Sequence, residues 1–242
     1  MTSGVPSSLA ARRDAGGGLW LVTLEVAPEI AGSYMAPGQY VEVQTPSGNG
    51  YFVIASDVGS GHFELLVKSG GGASEVLVAS PLGTLLELGG PLGAGFSVER
   101  MENRHVVVAV VASALGVARP VLHRRIEAGI AELTHLFVGL RTLADLPIPS
   151  EIKAWSGAGV RVVFCLSRSE LHHHPEVVPG AGRVTGYVQH ALARALESGE
   201  VPHGTLVIAA GPDPMLEDMR SLAAVVGEAF LAGPSIEVLT NI

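Results

Sequence analysis

Residues 105–122 read HVVVAVVASALGVARPVL, and this stretch decides the architecture. The run Val106–Val111 is apolar at every position and mostly β-branched. It shows no alternation, which is the pattern of a strand buried on both faces of a parallel sheet. Ala112, Ser113 and Ala114 follow as a small-residue turn, and a helical pattern starts near Leu115. A strand, a tight turn and a helix start form an anion site, because the first N–H groups of the helix are unbonded and its dipole favours negative charge.

Downstream of this stretch the rhythm of strand and helix repeats. Strands are predicted over 106–111, 134–139, 161–166, 205–210 and 235–239, with helices over 115–128, 150–156, 187–197 and 214–226. Such alternation predicts a parallel sheet covered on both faces. Upstream the texture differs. Strand-like runs over 19–26, 40–44, 51–55, 62–68 and 84–88 are broken closely by Gly and Pro, with one helical insert at 74–79. Closely spaced runs of this kind predict an antiparallel barrel or sandwich. The expected organisation is an N-terminal flexible arm over 1–17, an antiparallel β-barrel over 18–100 and an α/β parallel-sheet domain over 105–242, with the polar segment 98–104 as the joint.

Bulk composition narrows the function classes. With 48% hydrophobic and 16% charged residues, the chain can fill a real core, which argues against disorder. The net charge of −8, with no basic run longer than a pair such as Arg124-Arg125, disfavours nucleic acid and anionic membrane as partners. No apolar run is long enough to span a bilayer, so no membrane insertion is expected. The N-terminus lacks the order of a signal peptide, and a cytoplasmic location is expected. The single cysteine, Cys165, excludes an intramolecular disulfide and a cysteine-ligated iron–sulfur cluster within this chain.

In a doubly wound sheet, ligands lie at the carboxyl ends of the strands. Those ends read Ala112-Ser113-Ala114, Gly139-Leu140-Arg141, Ser167-Arg168 and Ala210-Gly211-Pro212. Small residues, hydroxyls and arginines at four strand ends point to a phosphate-bearing ligand.

Further stretches carry a resemblance. Pro37-Gly38-Gln39-Tyr40 precedes a strand, and Tyr51-Phe52-Val53-Ile54-Ala55-Ser56 ends in Ile-Ala-Ser. Val67-Lys68-Ser69-Gly70-Gly71-Gly72-Ala73-Ser74 combines a strand end with a Gly-rich turn, and Gly90-Pro91-Leu92-Gly93 leads to Gly95-Phe96. Gly139-Leu140-Arg141-Thr142, Leu166-Ser167-Arg168, Gly182-Arg183-Val184-Thr185-Gly186-Tyr187-Val188 and Gly211-Pro212-Asp213-Pro214-Met215 follow in order. In this order and over residues 19–242, the chain resembles the ferredoxin–NADP reductase superfamily. The resemblance implies a flavin, FAD or FMN, in the barrel half and a nicotinamide dinucleotide, NADP or NAD, in the Rossmann-like half. It implies hydride transfer between the two and delivery of electrons to an external acceptor, for which a separate electron-transfer protein is one candidate.

Residue by residue, the resemblance implies that Phe52, Ile54 and Ser56 line the isoalloxazine, within the strand that also holds Tyr51, Val53 and Ala55. Gly72, Ala73 and Ser74, after Val67, Lys68 and Ser69, would meet the flavin phosphate. Ala112, Ser113 and Ala114 would face the dinucleotide pyrophosphate, Ser167 and Arg168 an adenosine phosphate, and Tyr187 the adenine. Arg141, Gly211 and Pro212 complete the implied cofactor set; no catalytic residue and no metal ligand is assigned. Against the family's R-x-Y-[ST] motif the register reads Gly50, Tyr51, Phe52, Val53, so its arginine is absent. The G-x-G positions read Ala112 and Ala114, with Gly116 one residue out of register, and Ala210 stands where relatives carry cysteine. The implied branch has degenerate motifs, and a second reading stays open: a nucleotide-binding or protein-interaction module without efficient turnover.

Other residues read more plainly. His172-His173-His174 before Pro175 is expected to be a solvated loop, since three consecutive side chains cannot converge on one ion from regular structure. Cys165 reads as a buried small hydrophobe. Arg119 either reaches a phosphate or lies on a helix surface. Arg124, Arg125 and Glu127 read as an exposed helix face, and Trp20 and Trp155 as packing residues.

Overall fold

The computed structural model describes residues 4–168, 177–226 and 229–232. The first half is a six-stranded antiparallel sheet that curls into a barrel. Its strands are β1 (Val5–Gly16), β2 (Leu19–Glu25), β3 (Tyr40–Thr45), β4 (Gly48–Val53), β5 (His62–Lys68) and β6 (Leu85–Leu88), in spatial order β4-β3-β6-β1-β2-β5. A short helix, α1 (Pro28–Gly32), follows β2, and α2 (Gly72–Ala79) follows β5. The edges β4 and β5 meet only at one bridge, Ile54 opposite Leu65, so the ring of strands is barrel-like without a continuous closing ladder. Its interior is apolar: Leu9, Val22, Leu24, Val41, Val43, Phe52, Ile54, Phe63, Leu65 and Leu88 are all buried, and Ala73 and Leu77 of α2 pack on them.

The expected flexible arm is corrected by this sheet. Residues Val5–Gly16 form β1, paired to β2 on one side and β6 on the other. Its sequence carries no clear period of two because the register shifts twice along its pairing with β2, between Leu9 and Ala11 and between Asp14 and Gly16. Bulges of this kind break the alternation that marks a strand.

The second half is a six-stranded parallel sheet of β7 (Val106–Val111), β8 (Thr134–Leu140), β9 (Arg161–Leu166), β10 (Gly182–Thr185), β11 (Leu206–Ala210) and β12 (Ala229–Ala232). The order is β10-β9-β8-β7-β11-β12, so the chain reverses direction across the sheet at β7. As expected of a strand covered on both faces, β7 splits its side chains. Val106, Val108 and Val110 enter one core, and Val107 and Ala109 enter the other. The helices are α3 (Leu115–Glu127), α4 (Pro149–Gly157), α5 (Val188–Glu197) and α6 (Asp213–Val226). β10 is a strand that its short polar sequence did not announce. The strand expected at 235–239 lies outside the described residues, as do His172, His173 and His174.

The two halves share one core. Leu19, Leu21, Val53, Leu66 and Phe96 from the barrel pack in the same cluster as Val108, Leu115, Val138, Ile148 and Trp155 from the α/β half. Polar contacts reinforce it. The buried guanidinium of Arg119 in α3 donates through Nη1 to the Ala55 carbonyl and to Glu64, both at 2.8 Å, and through Nε to Glu151 of α4 at 2.7 Å. His123 sits 2.9 Å from Asp57 and stacks edge-on against Trp155. The β1–β2 hairpin docks on the loop after β8: the Ile148 amide donates to the Ala15 carbonyl, and a Cβ at Gly17, where φ is +60°, would overlap the Asp145 carbonyl. This arrangement fixes where the barrel meets the carboxyl end of the sheet.

Candidate functional site

The carboxyl ends of the parallel strands open into a cleft of about 570 Å³. Val111 ends β7, Gly139 and Leu140 end β8, and Cys165 lies in β9; with Val188 and Met215 from the two following helices they make an apolar floor. Gly139 is required there. A Cβ at that position would lie 2.7 Å from both Val111 and Val188. The Cys165 thiol is buried, and burial pushes its pKa up to about 12, so it is an uncharged part of the floor.

The mouth is polar. It is lined by Lys68 from the barrel and by Arg141, Ser167, Tyr187 and Gln189 from the sheet side. The loops after β8 and β9 are tied together: the Ser167 amide donates to the Leu140 carbonyl and the Arg168 amide to the Arg141 carbonyl. Arg168 is exposed at the same strand end, although it does not line the cleft. Among the described residues no carboxylate pairs with Lys68 or Arg141. Asp145 also lines the cleft, its carboxylate accepting from the Thr142 amide and hydroxyl, so the two cations outnumber one carboxylate there and favour an anion. Tyr187 is 59% exposed and packs edge-on against His190 at the start of α5. No side chain caps that helix N-terminus.

The expected cofactor residues therefore separate. Lys68, Arg141, Ser167, Tyr187 and Pro212 line the cleft, while Gly211 stands behind them, its α-hydrogen side against Met215. The turn expected to face a pyrophosphate does not line the cleft. Ala112–Ala114 is a 3-10 turn beside β5, with Ser113 half-buried and Ala114 buried in the interdomain core. The following Gly116 also points at the barrel, where a Cβ would touch Leu66 and Ala55 at 3.3 and 3.4 Å.

The flavin strand is likewise redistributed. Phe52 and Ile54 point into the barrel core, and Ser56 is buried, donating to the His62 carbonyl. Pleating alternates side chains between faces. The outer face of β4 is consequently formed by Asn49, Tyr51 and Val53, not by Gly50 and Phe52. A Cβ at Gly50 would meet the Phe52 ring and Ala73, each at 2.8 Å, so no larger side chain fits there. The half-buried Tyr51 lies edge-on to Tyr40 and donates its hydroxyl to Glu42 at 3.1 Å. That hydrogen bond and the charge of Glu42 raise the Tyr51 pKa. Val53 and the succeeding Ala55 are covered by the α/β half.

Beyond β5, Ser69 to Gly72 form an exposed loop opening α2, whose N-terminus has no side-chain cap. Val67 and Ala73 are buried, and buried Ser74 donates to the Gly71 carbonyl. This open helix start follows Lys68 in sequence, although none of Ser69, Gly70, Gly71 and Gly72 lines the cleft.

Two further expectations are corrected. Arg119 neither faces a phosphate nor lies on a helix surface; it is the interdomain ion-pair residue. Arg125 is only 2% exposed, holding Thr134, Met101, Arg104 and Leu133 through its guanidinium, whereas neighbouring Arg124 is exposed as expected. Sequence reasoning placed Gly139 at a strand end but missed Glu42 and Gly17, whose roles arise from strand pairing and close approach.

No protein-family model matches the chain. It is 26% identical over 223 residues to the fruit protein pKIWI502 of Actinidia deliciosa, covering 86% of this chain and 68% of that one. Among solved structures, it superimposes on the Amycolatopsis reductase GcoB with a TM-score of 0.77 and 19% identity, covering 96% of this chain and 69% of that chain. The ferredoxin NADP+ reductase from Neisseria gonorrhoeae, solved with FAD and NADP, gives 0.74 at 14% identity, covering 97% and 100%. The cytochrome b5 reductase domain of Ulva prolifera nitrate reductase gives 0.71 at 17% identity, covering 94% and 97%.

Proposed function

We propose that this chain, which has the two-domain fold of the ferredoxin–NADP reductase superfamily, is an oxidoreductase using a nicotinamide dinucleotide and a flavin. The observation that carries the reading is that Lys68 and Arg141, neither ion-paired among the described residues, line an apolar cleft at the sheet's switch point and outnumber its one carboxylate, Asp145. The two cations would hold the dinucleotide phosphates, Tyr187 would stack on the adenine, and the dry floor of Val111, Gly139 and Met215 would take the uncharged end. Ser167 and Arg168 would reach a 2′-phosphate, which favours NADP over NAD.

The residues present also fit a flavin, in a register one residue removed from that of R-x-Y-[ST] at Gly50. The uncapped start of α2 and its exposed glycines offer N–H groups to a phosphate. Tyr51 offers a half-exposed ring on the outer face of β4, and Asn49 stands in the arginine's place. A bound flavin supplies the capacity to take a hydride and release its electrons to an acceptor. The protein supplies position, a dry floor and positive charge at the mouth. The one cysteine among these residues cannot by itself ligate an iron–sulfur cluster, so this chain supplies no such centre for the electrons.

The test is direct. The purified protein is titrated with FAD and with FMN while flavin fluorescence is followed, then assayed for oxidation of NADPH and NADH with an artificial acceptor. Saturable flavin quenching and nucleotide oxidation well above free flavin are expected. Absence of both would remove the reading in favour of a non-turnover module.

A further inference from the structure

The outer face of the barrel beside Tyr51 carries an unusual carboxylate. Glu42 of β3 lies directly opposite Tyr51 of β4 in the strand register. Its Oε1 accepts from the Tyr51 hydroxyl at 3.1 Å and from Asn49 Nδ2 at 2.8 Å, and its Oε2 accepts from Gln44 Nε2 at 3.3 Å. Among the described residues no lysine or arginine pairs with it. The charge is held by three neutral donors alone. These groups lie on the face of β3 opposite the core residues Val41 and Val43. The arrangement fixes the orientation of one half-exposed aromatic ring and one amide.

We infer that Glu42 is a positioning residue for the flavin: it locks Tyr51 and Asn49 in place for stacking and sets a negative charge beside the bound ring. The inference rests on the flavin reading given above. Two consequences follow. Losing the carboxylate frees the Tyr51 ring, and ordering it again on binding costs affinity. Losing only the charge leaves the ring in place but makes the neighbouring flavin easier to reduce, because added electron density is no longer opposed by an adjacent anion.

The experiment uses the full chain and four variants: Glu42→Ala, Glu42→Gln, Tyr51→Phe and the combined Glu42→Ala/Tyr51→Phe. FAD and FMN are titrated by fluorescence, and the midpoint potential of the bound flavin is measured. Glu42→Ala is expected to weaken flavin binding about tenfold, the scale of one hydrogen bond to a charged group. Tyr51→Phe should do the same, with the combined variant no weaker than either. Glu42→Gln keeps an acceptor and should retain quenching while shifting the potential positive. Unchanged affinity and potential in both Glu42 variants overturn the inference, as do fully additive losses in the combined variant. If Glu42→Ala fails to fold, the Glu42→Gln potential alone decides. A wild-type protein that quenches neither flavin overturns the parent reading, and this inference with it.

Discussion

Arg119 Nε and Glu151 Oε2 lie 2.7 Å apart at the centre of the domain interface, with Glu151 Oε1 taking a second ion pair from Arg13 of β1. Burial pulls the Arg119 pKa down, but Glu151 and Glu64 more than offset this and the net shift is upward. The Arg119 side chain is 8% exposed and its two carboxylates about a fifth. Replacing it by Leu strands Glu64 and the Ala55 carbonyl and leaves Glu151 with Arg13 alone. Arg119→Leu is expected to cost about 3–5 kcal/mol. Lys restores charge without the planar fork and should recover only part of this. Urea denaturation of the three proteins measures it, and near-equal midpoints would show that the network contributes little.

At the cleft mouth, Lys68→Ala and Arg141→Ala are each expected to weaken NADPH binding about tenfold, the value of one charge-assisted contact. The losses should shrink at high salt, because exposed charges are screened. Isothermal titration at two ionic strengths reads both effects. Salt-independent affinity in the wild type would place the phosphates elsewhere.

Gly139 in the floor and Gly211 behind it should behave differently. Gly139→Ala puts a methyl 2.7 Å from two β-branched valines that cannot turn away. It is expected to destabilise by about 1–3 kcal/mol through overpacking. Gly211→Ala meets the Met215 sulfur at 2.6 Å, and the flexible thioether can move aside. Thermal melts should rank Gly139→Ala well below Gly211→Ala, with wild type highest.

His135 provides a pH test. It is fully buried in β8, and among the described residues neither ring nitrogen has a hydrogen-bond partner. Burial, then the charges of Arg161 and His105, lower its pKa to about 4. The unfolded chain therefore binds a proton near pH 6.5 that the folded chain refuses until about pH 4. Stability from this group is complete above about pH 6.5 and falls as pH drops through that window, by up to about 3 kcal/mol. In His135→Leu that part of the decline should vanish. Denaturation curves at pH 7 and pH 4.5 for both proteins make the comparison, and identical pH slopes would contradict it.

The α/β half was legible because its strands and helices have distinct periods, and the β7 turn into α3 sits where the pattern placed it. β4 shows why the site was harder to read. Tyr51 to Ala55 is apolar throughout because the α/β half covers Val53 and Ala55 on the outer side while Phe52 and Ile54 fill the barrel, so no alternation says which side chains face inward. Only its pairing with β3, Tyr51 opposite Glu42, decides it. Arg119 was illegible for a related reason. Its partners come from β5 and α4, distant in sequence, and a short local pattern cannot distinguish a phosphate-binding arginine from an interdomain one. β1 escaped because two bulges erase its period.

The position of β1 in the middle of the barrel sheet has a consequence for assembly. Ser7 pairs with Leu86, and β6 also joins β3. Until β6 has been synthesised, the β1–β2–β5 ribbon and the β3–β4 hairpin have no strand to connect them. The first strand made must wait for the last one of the barrel, so closure carries the loop-entropy cost of distant partners. Folding of this half should be slow and all-or-none, with β6, its shortest strand, acting as the final stave.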